Sequence, residues 1–136
     1  LFRSHEGLRA AIQRHVQPQP RLISASTLFH VAYPVVRQVG GVFVGRSNGI
    51  WVTAHAQDLL EDFVGDEAYR ARLQSYIDRD ARMLLEDVRA HHPDIILTDH
   101  YSGTSRALRH PDIAAAMADY ARLEEVGDVV LWGRKP

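Results

Sequence analysis

The spacing of apolar positions changes several times along this chain, and each change marks an element. Leu8, Ala11 and Ile12, with His15 or Val16 beyond them, fall at i, i+3, i+4 spacing and predict a first helix capped by Ser4. Gln17-Pro18-Gln19-Pro20 stops it, and Arg21 to Ser26 reads as a short buried strand with a small, polar end, as expected where a sheet opens onto a loop. Thr27 to Gln38 is apolar around a central Pro34 and reads as a broken helix. Gly40-Gly41 turns the chain into a second strand, Val42-Phe43-Val44, and the β-branched and aromatic Ile50-Trp51-Val52-Thr53 reads as a third short strand or a loop packed on the sheet.

From Asp66 to Ala90 the pattern becomes a long amphipathic helix, with Tyr69, Leu73, Tyr76, Ile77, Leu84 and Val88 along one stripe. His92-Pro93-Asp94 ends it and leads into Ile95-Ile96-Leu97-Thr98-Asp99, an apolar run closed by an acid. This order suggests a crossover returning to a parallel sheet. His110-Pro111-Asp112 opens another helix with Pro in its first turn and Ile113, Ala116, Met117 and Tyr120 on one face. Leu123–Val126 and Val129–Trp132 flank Gly127-Asp128 as a closing hairpin. The expected fold is α/β: a Rossmann-like layered sheet, mostly parallel at its centre, with an antiparallel C-terminal hairpin and helices on both faces. At 136 residues, without repeats or low-complexity tracts, one domain is expected.

Composition narrows the function. Sixteen Lys and Arg against seventeen Asp and Glu leave no basic field for a phosphate backbone, so nucleic acid is not an expected partner. The absence of Cys removes disulfides, thiolate catalysis and Cys-ligated metals. No apolar run approaches the roughly 20 residues that span a bilayer. The start at Leu1-Phe2-Arg3, without Met, reads as a piece cut from a longer protein.

Several chemistries are spelled in the chain. Gly45-Arg46-Ser47-Asn48-Gly49 fits a nucleophile elbow, with Asp99 and His100 or His110 following in the order of α/β-hydrolases. The elbow needs a helix directly after its Ser, and Ile50–Thr53 is a poor helix start, so a glycine-flanked turn is the simpler account. Asp78-Arg79-Asp80 resembles a metal-binding D-x-D, but within a helix its two acids point about 200° apart and read as a solvated charge cluster. His91 and His92 lie roughly 15–20 Å from Asp99-His100 along the intervening strand, too far to share a metal. A helix-end role for His91 or His92 fits better. No dinucleotide fingerprint follows the first strand, where Ser24-Ala25-Ser26-Thr27 stands instead. That turn can hold an anion through hydroxyls and backbone N–H groups. Asp99-His100, at a strand's outgoing end, forms a binding pair. Tyr33, Trp51, Tyr101 and Trp132 offer stacking faces for a sugar or lipid head group, although buried aromatics are usually core.

Taken in order, Ser24–Thr27, Tyr33-Pro34, Arg46 to Trp51, the long helix into His92-Pro93-Asp94-Ile95-Ile96 and the closing Val126–Trp132 resemble a family. They are similar to the soluble C-terminal domains of bacterial multi-spanning membrane proteins of the glycosyltransferase C, or dolichyl-phosphate-mannose mannosyltransferase-like, superfamily. The resemblance implies a non-catalytic accessory domain on the extracytoplasmic, periplasmic side. Its partners would be the upstream transmembrane region of the same protein and a polyprenyl-phosphate sugar or glycan acceptor. The family's catalytic region has no counterpart here, so no catalytic residue carries over, and neither metal nor cofactor is expected.

The candidate ligand-binding positions are Ser24, Ser26, Thr27, Tyr33, Arg46, Asn48, Asp99 and His100. Arg46 suits a phosphate or carboxylate, against the alternative of a salt bridge to an acid such as Asp99. The rival functions are a small soluble serine hydrolase using Ser47 and an anion or small-ligand binding module without chemistry.

Overall fold

In the computed structural model the described residues are 2–28, 32–62 and 65–136, with the side chains of 2–5 and 32–33 left aside. In chain order the elements are α1 (Phe2–His15), β1 (Arg21–Ser24), α2 (Ala32–Gln38), β2 (Val42–Phe43), α3 (Trp51–Asp62) and α4 (Glu67–His91). They continue with β3 (Ile95–Asp99), α5 (Ser102–Ala107), α6 (Pro111–Met117), β4 (Tyr120–Val126) and β5 (Val129–Arg134). The strands form one sheet in the order β2-β1-β3-β5-β4. β1 pairs in parallel with β2 and β3, whereas β5 runs antiparallel to both β3 and β4. The α/β fold, with its parallel centre and antiparallel C-terminal pair, is as the apolar periods indicated.

Strand alternation distributes the core over two faces. Ile23 and Ile96 point to one side, where they meet Ala81, Leu84, Leu85 and Val88 of α4 and Ile113 and Ala116 of α6. Leu22, Ile95 and Leu97 point to the other, against Leu8, Ala11 and Ile12 of α1 and Val35 and Val36 of α2. β3 is buried at all five positions, as a central strand covered on both faces must be. The chain leaves β1 through α2 to reach β2, then returns through α3 and α4 to β3 on β1's other side. Right-handed crossovers in opposite directions place their helices on opposite faces. The gap between β1 and β3 is therefore the topological switch point.

Local chemistry sets the helix ends. Asp66 caps α4 by accepting from Ala68 N–H at 2.9 Å, and His92 closes it in the left-handed region with its N–H on the Val88 carbonyl. His110 caps α6: its Nδ1 accepts from Asp112 N–H at 3.1 Å, and Pro111 follows in the first helical position.

Four expectations change. Pro34 sits in the first turn of α2 and breaks nothing, because an N–H there has no intrahelical acceptor to lose. Trp51–Thr53 is neither strand nor loop but the first turn of α3. The reason is tertiary: buried Asp80 of α4 accepts from Thr53 N–H at 3.1 Å and from its hydroxyl at 2.7 Å, acting as a cap supplied from another helix. Tyr120 opens β4 instead of lying on the preceding helix, and its hydroxyl donates to the Pro93 carbonyl at 2.6 Å. The first helix also starts at Phe2, so Ser4 lies inside it and is not its cap.

Candidate functional site

Where β1 and β3 end, the chain brings Ser26, Thr27, Asp99 and Thr104 together. Asp99 is 3% exposed, and its Oδ2 accepts from Ser26 Oγ at 2.6 Å, Thr27 N–H at 2.9 Å, Thr104 Oγ1 at 2.8 Å and Thr27 Oγ1 at 3.2 Å. Oδ1 accepts from Tyr101 N–H at 2.8 Å. A buried carboxylate is tolerated when donors surround it, and here five do. The Ser26-Thr27 turn does hold an anion, but the anion is the protein's own side chain. Its donors are consumed in stitching the β1 loop to β3 and to the start of α5.

Beside this knot lies an open cleft of about 500 Å³, lined by Thr27, Leu28, Trp51, Ala54, His55, Asp58, Tyr101 and Gly103. It occupies the position where open α/β sheets take ligands, beyond the carboxyl ends of strands at a switch point. Four of these residues, Trp51, Ala54, His55 and Asp58, recur at i, i+3, i+4 and i+7 and form one stripe of α3. Trp51 is 40% exposed and Tyr101 49%, an unusual amount of aromatic surface left at one place. Arg106 of α5 fixes the wall, bonding Asp58, Glu61 at 2.8 Å and the Ala54 carbonyl at 3.3 Å. The Asp58 hydrogen bond, above all, holds the guanidinium pKa above its ordinary value.

The other candidates lie elsewhere. Arg46 binds α4: its Nε donates to buried Asp87 at 2.6 Å, its backbone N–H to the same carboxylate at 2.8 Å, and its Nη2 reaches Glu86 at 3.2 Å. The hydrogen bond to Asp87 chiefly raises its pKa. The salt-bridge alternative is the one observed, with Asp87 in place of Asp99. Ser47 Oγ donates to the Gly49 carbonyl at 2.9 Å, and among the described residues no histidine bonds it. Asn48 is half-buried in the same loop. Ser24 is 2% exposed, and its hydroxyl is the one buried side-chain polar atom without a partner among the described residues. It borders a space of about 10 Å³ with Ser47, Asp80 and Asp87, enough for about one water. His100 is exposed and pairs with Glu125 at 3.1 Å. Tyr33 belongs to α2, and its side chain falls outside the described residues. Trp132 is half-buried, with its Nε1–H on Thr98 Oγ1 at 2.8 Å, and serves the core.

The helical acids also separate. Asp78 is exposed and takes a hydrogen bond from His110 at 2.9 Å, which is the main cause holding its carboxyl below the usual range. Asp80 is not solvated as expected but buried as the cap of α3. Among the described residues no group of three potential ligands converges on a metal position. His91 is the last residue of α4, its Nδ1 3.4 Å from Arg21 Nη2, and His92 follows as the C-cap through its backbone N–H.

Sequence reasoning missed Thr104 and the α3 stripe. Reading 50–53 as extended hid the Trp51, Ala54, His55, Asp58 spacing, which was the available signal. No family model matches the chain, and neither curated proteins nor solved structures give a significant match.

Proposed function

We propose that this chain is a non-catalytic recognition domain, serving as the extracytoplasmic accessory module of a membrane-bound glycosyltransferase-like protein, with the switch-point cleft as its binding surface. The observation that carries the non-catalytic part is the engagement of the reactive groups. Asp99 spends both oxygens on the β1 loop and the entry to α5, and the Ser47 hydroxyl is given to a backbone carbonyl. A nucleophile needs a base within hydrogen-bond reach, about 2.6–3.2 Å, and the Ser47 geometry favours a structural turn instead. The glycosyltransferase part rests on the resemblance of the sequence motifs alone. Among the described residues no helix is long and apolar enough to cross a membrane, so any membrane attachment would come from other segments.

The experiment is labelling of the folded chain with an alkyl fluorophosphonate, followed by peptide mapping. The proposal expects Ser47 to stay unmodified under conditions that label a serine hydrolase run in parallel. Labelling that disappears in Ser47→Ala would overturn it and favour the hydrolase reading.

A further inference from the structure

Two carboxylates of α4 are buried away from the switch-point cleft, and their charges are unevenly met. Asp80 is 7% exposed and Asp87 5%, and they lie two turns apart on one face of the helix. Asp87 is paired with the Arg46 guanidinium, which also serves exposed Glu86. Asp80 has no cationic side chain on it among the described residues, and its two hydrogen bonds, from Thr53 N–H and Thr53 Oγ1, both fall on Oδ2. Asp99, equally buried, has donors on both oxygens. Two carboxylates against one guanidinium leave one negative charge inside the protein, where an uncompensated ion is costly.

Between these acids and the end of β1 is a small space of about 10 Å³, the size of one water or one small ion. Ser24, Gly45, Ser47, Gly49, Asp80 and Asp87 supply its polar lining. The Ser24 hydroxyl, in a residue 2% exposed, has no partner among the described residues, and a buried hydroxyl left alone calls for a physical cause. Ser47 Oγ gives its one proton to the Gly49 carbonyl at 2.9 Å, so it has only lone pairs left to offer. No Lys, Arg or His is among the lining residues. The side-chain polar atoms around the space are therefore all oxygen, and the Ser24 hydroxyl carries their one uncommitted proton.

The occupant that suits this lining binds to oxygen lone pairs, fills the volume of about one water and carries one positive charge. A neutral water would satisfy Ser24 but leave the charge. A divalent ion would overshoot the charge, and it takes about six or more oxygens, which needs more room. Two carboxylates and two hydroxyls also fall short of the three or more strong ligands of a zinc centre. We infer that Ser24, Ser47, Asp80 and Asp87 form a structural site for a monovalent alkali cation, sodium or potassium, which ties the Gly45–Gly49 loop and the end of β1 to α4. Asp78, exposed and bonded to His110, takes no part.

The test is thermal unfolding of the chain in sodium, potassium and choline chloride at one ionic strength, choline being too large for the space. At a cation concentration about ten times the dissociation constant, Tm should stand about 4 °C higher in sodium or potassium chloride than in choline chloride, with a gain that saturates. Comparison of sodium with potassium then names the ion the site prefers. Ser24→Ala and Asp80→Asn should each remove more than half of the difference, and Asp62→Asn, exposed at the end of α3, should leave it intact. Far-ultraviolet circular dichroism reports whether each variant is folded, and Ser24→Ala, which deletes one oxygen, tests the site without touching the Asp80 cap of α3. Equal Tm in the three salts would mean a water only and would overturn the inference. So would a difference that survives both substitutions, or a larger one in magnesium or calcium chloride that Asp80→Asn removes.

Discussion

Asp99→Asn is the perturbation whose outcome follows most directly from the geometry. Asn keeps the shape of the side chain but exchanges one acceptor oxygen for an NH₂ group. If its oxygen faces Ser26, Thr27 and Thr104, the NH₂ meets Tyr101 N–H; if it is flipped, the NH₂ meets Thr27 N–H. The hydroxyls can rotate to accept, but a backbone N–H cannot, so either orientation orphans one N–H. An orphaned buried donor costs about 1–3 kcal/mol, and loss of the charge weakens the remaining bonds, which are roughly twice as strong to an ion as to a neutral group. Together these give a destabilisation of about 3 kcal/mol. For a chain of this size that lowers Tm by roughly 10 °C. Urea unfolding should show the midpoint falling at constant slope. A double-mutant cycle with Thr104→Val should show coupling of about 1 kcal/mol or more, because the two share the 2.8 Å bond. A change below about 0.5 kcal/mol, the level of an unconnected surface substitution, would refute the assignment of Asp99 as the knot that closes the switch point.

Gly49→Ala should cost about 3 kcal/mol or more by urea unfolding, because its Cβ would be driven into the backbone carbonyl of Ser26, which is itself held by Ile50 N–H at 2.9 Å and cannot give way. Burial pushes the Tyr120 phenol up from 10.0 to about 12. Its folded pKa therefore lies above its unfolded one, so the stability it contributes is fully present below pH 10 and is lost as pH rises toward 12. Tyr120→Phe should lose about 1 kcal/mol at neutral pH and should lack that alkaline component in melts between pH 9 and 12. Arg46→Ala leaves buried Asp87 with only a backbone donor from that loop, so Tm should fall measurably, while any phosphate-induced rise in Tm should be unchanged.

Much of the fold was legible because its signals are local. The helix over Glu67–His91 is long, periodic and capped by Asp66, and the closing hairpin announces itself through Gly127, whose φ of 57° suits glycine. Ile95–Asp99, four apolar or small residues after a Pro break and closed by an acid, could hardly be anything but a central strand. The failure at Trp51–Thr53 has the opposite cause. Its residues favour extended structure, and the helix there is imposed by Asp80, 27 positions away, whose carboxylate satisfies the first-turn donors. That single non-local cap also decided the site. Once 51–62 is helical, Trp51, His55 and Asp58 share a face; as a strand they would not. Asp99, Ser26 and Thr27 were placed at the right strand ends, but their chemistry was read outward, toward a ligand. One sequence cannot show that three donors and one acceptor will choose each other, and Thr104, which completes the set, lies in a short helix that carries no apolar period. Arg46 went the same way: a guanidinium suits a phosphate, and Asp87, 41 residues on, reached it first.

The central claim is that the domain serves a membrane-bound protein from the extracytoplasmic side, and the measurement that meets it most directly is fractionation of the natively encoded protein, with protease protection of this domain in oriented vesicles. The account predicts that the protein sediments with membranes and that the domain is cut only when protease reaches the extracytoplasmic face. Recovery of the protein in the soluble fraction, or protection of the domain until the cytoplasmic face is opened, would contradict it.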